Sequence, residues 1–194
     1  MTASRLEAFS DGVLAIIITI MVLELKVPHG DSLAALSPIL PTFLTYILSF
    51  TFIGIYWNNH HHLLKAVKRV TPRVMWSNLL LLFWLSLVPF ATGWLGENHS
   101  AAVPTMLYGA ILLMAAISYT ILQWSIVCQH GRDSKLAESF GTDLKGKLSI
   151  ACYIGGIIAA PFEQWISDGL YTAVAFLWFI PDKRLKKVVD EIEG

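Results

Sequence analysis

The amino-acid sequence predicts an all-α, polytopic membrane protein with six transmembrane helices. Hydrophobic residues make up 55% of the 194 positions, charged residues only 14%, and the mean hydropathy is +0.60. Soluble domains have about 25% charged residues, so this chain is too apolar for that class. In addition, six apolar windows approach or exceed the about 20 residues that an α-helix needs to cross a bilayer.

These windows follow one another with brief connections, which leave no room for a separate soluble domain. We therefore expect residues 1–194 to form a single six-span transmembrane domain. The first window has Arg5 as its only nearby cation and no small-residue cleavage site, so we expect it to remain as a span. The windows lie at roughly 5–26, 37–58, 74–95, 103–128, 147–163 and 165–181, and the last two are short.

Prolines mark the beginnings and bends of several predicted helices. Pro41, Pro72 and Pro104 lie in or just before the first turns of the second, third and fourth windows, where a missing N–H is tolerated. Pro89 and Pro161 lie near the opposite helix ends and are expected to bend them. The polar segment 133–146, between the fourth and fifth windows, is predicted to form a short amphipathic helix.

The cationic residues lie on one side of a six-span arrangement. Of the 14 Lys and Arg residues, all except Lys26 fall near the N-terminus, in segments 60–73 and 129–147, or in the C-terminal tail. Cytoplasmic loops of membrane proteins carry the excess of Lys and Arg. The distribution therefore predicts cytoplasmic N- and C-termini and supports the number of spans.

The first window combines a polar start with an apolar stripe. Ser10 and Asp11 occur where the span begins, and an ionisable group there suggests a functional site. At 100° per residue, Ile16, Ile20 and Leu23 fall within about 60° of one another on a helix, while Ser10 and Asp11 point away from them. Thr19 flanks the stripe, and Arg5, Phe9 and Gly12 lie on its side of the helix.

Polar residues at the end of the second window reach the same depth as Asp11. Trp57, His60 and His61 could provide hydrogen bonds that stabilise a buried carboxylate. One interpretation is a packing lock between two helices, and the other is a gating or proton-sensing site. Both remain open from these residues alone.

The apolar stripe also has two interpretations, a packing face and an ion path. No span has an ionisable residue at mid-depth, which a carrier or proton pump usually needs. The sequence also lacks a T-V-G-Y-G pore loop and an Arg-rich voltage sensor.

Chemical sites other than an ion path are not favoured by the sequence. Consecutive residues such as His60, His61 and His62 diverge by 100° on a helix and cannot converge on a metal ion, so no metal site is expected. No P-loop, G-x-S-x-G or H-E-x-x-H motif occurs, and no enzyme activity, cofactor or nucleic-acid partner is expected.

Three short motifs occur at the start of the first span and after the second and sixth spans. They are Arg5-x-x-x-Phe9-Ser10-Asp11-Gly12 with Ala15-Ile16, Thr19 and Leu23-Glu24; Trp57-x-x-His60-His61; and Trp178-Phe-Ile-Pro181-Asp-Lys-Arg. In these motifs the chain resembles the transmembrane protein 175 family of potassium channels, in its single-repeat prokaryotic branch.

The resemblance implies a homotetramer, in which each subunit has three identical partners in the lipid bilayer of a prokaryotic plasma membrane. The first helices would line a central pore that passes K⁺ and, in some relatives, other monovalent cations or protons. Rings of Ile16, Ile20 and Leu23 would form the constriction, and Ile16 and Thr19 would contact the permeant ion. A network would pack the pore helix against its neighbours, with the members Arg5, Phe9, Ser10, Asp11, Trp57, His60 and His61.

The function that the resemblance implies is a potassium-permeable, cation-selective leak channel. A hydrophobic constriction would replace the carbonyl selectivity filter. One alternative is a proton-conducting channel of the same fold. A second alternative is a secondary ion or solute transporter, with slow and saturable coupled flux. A third is a membrane enzyme that uses the histidines.

Overall fold

A computed structural model describes residues 2–130 and 143–179 of the chain. This part of the chain contains seven α-helices and no β-strand, which confirms the predicted all-α class. Short 3₁₀ turns at Val22–Glu24 and Leu33–Ile39 extend the first helix and precede the second. The helices are α1 (Ala3–Met21), α2 (Leu40–Lys65), α3 (Pro72–Ser86), α4 (Val88–Glu97), α5 (Ala102–His130), α6 (Leu144–Ala159) and α7 (Gln164–Phe179).

Two predicted features fall partly or wholly outside the described residues. The first is the amphipathic helix predicted at 133–146, most of which is not described. The second is the third motif, whose end, from residue 180 onward, is not described.

Among the described residues, four helical segments are long and apolar enough to cross a membrane. They are Ala3–Glu24, Leu33–Lys65, Pro72–Glu97 and Ala102–His130. Helices α6 and α7 have 16 residues each, which corresponds to about 24 Å, slightly less than the about 30 Å of a bilayer core. The short final windows of the sequence therefore correspond to short helices, and the protein is a multi-pass helical membrane protein.

The third apolar window forms two helices instead of one. Helix α3 ends at Ser86 and α4 begins at Val88, with Leu87 between them. Pro89 lies in the first turn of α4, has no N–H to donate to Leu85, and its ring conflicts with that carbonyl in a continuous helix. The interruption thus comes two residues before the proline at which the sequence predicts a bend.

The packing places α5 inside the bundle and α1 at its edge. Helix α5 contacts α3, α4, α6 and α7, whereas α1 contacts α2, α3 and α4. Tyr171 of α7 can lie deep in the bundle because Gly109 and Gly156 present no side chain to its ring. Within residues 2–130 and 143–179, no helix covers one face of α1.

Hydrogen bonds place the α2–α3 connection and the end of α5 at the same end of the bundle. The His130 Nε2–H donates to the Ala66 carbonyl at 2.7 Å, and the Gln129 side chain pairs with the backbone of Arg69 at 2.9 and 3.1 Å. The end of α5 therefore lies beside the α2–α3 connection. A Lys26–Glu97 ion pair lies beyond the opposite ends of α1 and α4.

Candidate functional site

Helix α1 has one buried and one exposed apolar face. Leu6, Leu14, Ile17 and Met21 are buried against the helices of the same chain. In contrast, the side chains of Ile16, Ile20 and Leu23 are 58%, 44% and 76% exposed. We call these three residues the apolar stripe. The stripe therefore faces away from the chain that carries it.

Small residues lie beside the apolar stripe on the same uncovered face. Ala8, Gly12 and Ala15 are exposed, and a Cβ added at Gly12 would meet no atom within 4 Å. Small residues allow two membrane helices to approach closely. This face is therefore shaped to accept another helix.

Thr19 lies on the exposed face, and its hydroxyl hydrogen is used within its own helix. The Thr19 Oγ1 donates to the carbonyls of Ala15 and Ile16, at 3.1 and 2.9 Å. A hydroxyl has one hydrogen and two lone pairs. The donor is therefore occupied, and the lone pairs of the exposed oxygen remain available to a cation.

The interruption at Leu87 lies next to an apolar groove beside the stripe. This groove is a cavity of about 460 Å³ between α1 and the region where α3 gives way to α4. Its lining residues are Val13, Ile16, Ile17, Ile20, Glu24, Ser86, Pro89 and Phe90.

The polar start of α1 is tied to α2 and α3 through a buried chain of hydrogen bonds. The Ser10 hydroxyl donates to the Leu6 carbonyl at 2.8 Å and accepts from Asn78 Nδ2 at 2.9 Å. The Asn78 Oδ1 accepts from the His60 Nε2–H at 2.6 Å. All four residues are buried, so this chain of bonds sets the distance between three helices.

Two further hydrogen bonds join α1 to α2 in the same region. The Trp57 Nε1–H donates to Asp11 Oδ1 at 3.0 Å, and the His61 Nδ1–H donates to Glu7 Oε1 at 2.7 Å. Glu7 lies one helical turn before Asp11, so its side chain can reach α2 from the same side of α1. We call the bonded set the clamp; its members are Glu7, Ser10, Asp11, Trp57, His60, His61 and Asn78.

The expected packing network and the clamp share five residues. Arg5 and Phe9, which the sequence analysis also assigned to the network, are exposed on the uncovered face. The Arg5 backbone N–H donates to Thr2 Oγ1 at the N-cap of α1. Within the described residues its guanidinium forms no hydrogen bond or ion pair.

The clamp contains two residues that the sequence analysis did not single out, Glu7 and Asn78. The i, i+4 spacing of Glu7 and Asp11 could have indicated the first. A lone amide in the apolar window 74–95 could have indicated the second.

The histidines of α2 point to different partners. His60 bonds to Asn78 and His61 to Glu7, so their rings serve separate contacts. In residues 2–130 and 143–179, no group of three His, Cys, Asp or Glu side chains is arranged to hold a metal ion.

Comparisons with known proteins identify similar chains. A family model described as the endosomal/lysosomal potassium channel TMEM175 matches residues 5–89. A protein of Chryseobacterium sp. (strain P1-3), named as a potassium channel, is 56% identical over 191 residues, which cover 98% of this chain and 100% of the relative.

A solved structure is also similar. The crystal structure of a lysosomal potassium-selective channel TMEM175 homolog from Chamaesiphon minutus has a TM-score of 0.79 and 28% identity. The match covers 92% of this chain and 96% of that one. The human endosomal/lysosomal proton channel TMEM175 is 36% identical over 145 residues, 67% of this chain but 29% of that protein.

Proposed function

This chain belongs to the TMEM175 family of ion channels, and from this premise we propose that it forms a potassium-permeable, cation-selective leak channel. Its relatives are channels and not enzymes. The observation that carries the proposal is the apolar stripe, because Ile16, Ile20 and Leu23 are exposed on a helix whose opposite face is buried.

The pore is formed by four identical subunits that bring their α1 helices around one axis. One apolar helix cannot enclose a path by itself, and the small residues beside the stripe allow a neighbouring helix to approach. The distribution of Lys and Arg along the sequence supports a cytoplasmic location of both termini in a prokaryotic cell. The channel then lies in the plasma membrane.

Selectivity arises at a narrow apolar neck formed by the Ile16 ring. An ion loses part of its hydration shell to pass such a neck, and K⁺ loses water more readily than Na⁺. The Thr19 lone pairs next to the neck replace part of the lost water. A tenfold preference corresponds to only about 1.4 kcal/mol, so this difference suffices without a carbonyl filter. Ile20 and Leu23 continue the apolar lining.

The clamp holds α1 in the position that the pore requires. The clamp lies on faces of α1 other than the stripe. It therefore fixes the position of α1 and adds no charge to the narrow part of the path. This favours the packing-lock interpretation of Asp11 over proton sensing. Arg5, at the exposed start of α1, and Phe9 contact neighbouring subunits.

A flux assay tests the proposed activity. Purified protein is placed in liposomes with an outward K⁺ gradient, without valinomycin, and a membrane-potential dye reports K⁺ movement. We expect K⁺ efflux at channel rates to generate an inside-negative membrane potential, which the dye reports. Saturable flux that requires a coupled ion would instead identify a transporter, and current carried by H⁺ in a K⁺-free gradient would identify a proton channel.

Ile16→Asn tests the position of the neck. A polar ring keeps Na⁺ hydrated more easily, so the permeability ratio of K⁺ to Na⁺ should fall severalfold in bilayer recordings. Ile18→Asn, on the opposite side of the same helix, is the matched control and should keep the ratio. An unchanged ratio in Ile16→Asn would remove Ile16 from the selectivity region.

A further inference from the structure

A second cavity lies on the side of α2 opposite the clamp, between α2, α5, α6 and α7. Its volume of about 40 Å³ is several times the about 10–15 Å³ that one water needs. It can therefore accept a compact polyatomic group. We call it the aromatic pocket, because its walls include Phe52, Tyr56, Tyr119, Tyr153 and Trp178.

The walls of the aromatic pocket favour a cation. The rings of Tyr56 and Tyr119 meet nearly edge to face, with centroids 6.0 Å apart, and the faces of such rings attract positive charge. The Trp178 ring already has a cation beside it, because the Lys145 ammonium lies 5.8 Å from its centroid. Among the lining residues, Asp143 is the only acid, and none is basic.

Asp143 is held in place by its role at the start of α6. Its Oδ1 accepts from the Gly146 backbone N–H at 2.8 Å and caps the helix. A carboxylate has about four lone-pair positions, so one N-cap bond leaves further capacity to meet a positive ligand.

Two tyrosine hydroxyls of the pocket have no hydrogen-bond partner within residues 2–130 and 143–179. Tyr153 is only 2% exposed, and neither its hydroxyl nor that of Tyr56 is bonded to a group of the described chain. The Tyr119 hydroxyl, in contrast, donates to the Asn59 carbonyl at 3.2 Å. Each hydroxyl can therefore form a hydrogen bond with a group that enters the pocket.

We propose that the aromatic pocket binds a compact organic ammonium ion of the choline type. The alkylated ammonium group lies against the aromatic rings and near the Asp143 carboxylate. A hydroxyl on the ligand pairs with the Tyr153 or Tyr56 hydroxyl. An anion would instead meet the Asp143 charge and the negative faces of the rings.

The position of the pocket connects such a ligand to α1. Tyr56 and Asn59 of α2 line the pocket, and the next residues, Trp57 and His60, belong to the clamp. A ligand in the pocket therefore restrains the same turn of α2 that holds Asp11. We expect occupancy to change the open fraction of the channel.

Isothermal titration calorimetry on the purified full-length protein tests the site. The probes are choline and 3,3-dimethylbutan-1-ol, which has the same shape without the charge. We expect saturable binding of one choline per chain, and at least tenfold weaker binding of the uncharged alcohol. Absence of saturable binding would overturn the proposal, and so would one choline per four chains, which would place the probe in the pore.

Asp143→Asn separates the charge from the helix cap. The amide oxygen of Asn still accepts from the Gly146 N–H, so the fold is retained, while the affinity for choline should fall at least tenfold. Asp168→Asn, an acid near the other end of α7, is the matched control and should keep the affinity. Unchanged binding in Asp143→Asn would contradict the proposal. The measurement does not depend on conduction, so it can fail or succeed independently of the channel activity.

Discussion

Thr19 contributes an oxygen to the proposed ion path, because its hydrogen is committed to the carbonyls of Ala15 and Ile16. Thr19→Val removes that oxygen and keeps the shape of the side chain. We expect a severalfold fall in the permeability ratio of K⁺ to Na⁺, measured from reversal potentials under bi-ionic conditions. Thr19→Ser keeps the oxygen and should keep the ratio. Equal reversal potentials for all three proteins would show that the oxygen does not contact the ion.

Asn78 links two helices to α1 through one buried amide. Asn78→Leu leaves the buried His60 Nε2–H without an acceptor, and such a group costs about 1–3 kcal/mol. We expect a lower thermal midpoint in detergent. His60→Phe in the same chain removes the donor as well, so the double variant should recover part of the loss. A double variant less stable than either single variant would show that the amide acts through another contact.

At the level of the helices, the bond between Asp11 and Trp57 holds α1 against α2. Asp11→Leu and Trp57→Phe each remove this one bond, so their effects should not add. We expect both single variants and the double variant to reduce the tetrameric fraction to a similar extent in native mass spectrometry. The permeability ratio of the remaining tetramers should be unchanged. Normal assembly with altered selectivity would instead place Asp11 on the ion path.

Hydropathy was sufficient to predict the helices, because an α-helix that crosses a bilayer must be apolar over about 20 residues. The orientation of the stripe away from Ser10 and Asp11 also followed from helical periodicity alone. The division of the third window at Leu87 did not follow from periodicity. It depends on which residue leaves the helical conformation to avoid the clash between the Pro89 ring and the Leu85 carbonyl. Burial of Ser10 depends on Asn78, 68 positions away, and no local pattern specifies such a pairing.

Across the whole molecule, polar contacts and the apolar stripe occupy different faces of α1. The clamp uses the N-terminal half of the helix and the sides that contact α2 and α3. The stripe and the small residues use the face that none of the described helices covers. In the proposed tetramer, this face acquires its contacts from neighbouring subunits.

This division predicts a substitution that separates folding from assembly. Among the residues that the structure describes, a Cβ added at Gly12 meets no atom within 4 Å, and the same holds for Gly169 on α7. Gly12→Leu should therefore keep the helical circular dichroism and thermal midpoint of the subunit but reduce the tetramer, because the larger side chain separates neighbouring α1 helices. Gly169→Leu should keep both the fold and the tetramer. Size-exclusion chromatography with light scattering measures the outcome, and a Gly12→Leu protein that remains fully tetrameric would show that α1 does not approach the pore axis at Gly12.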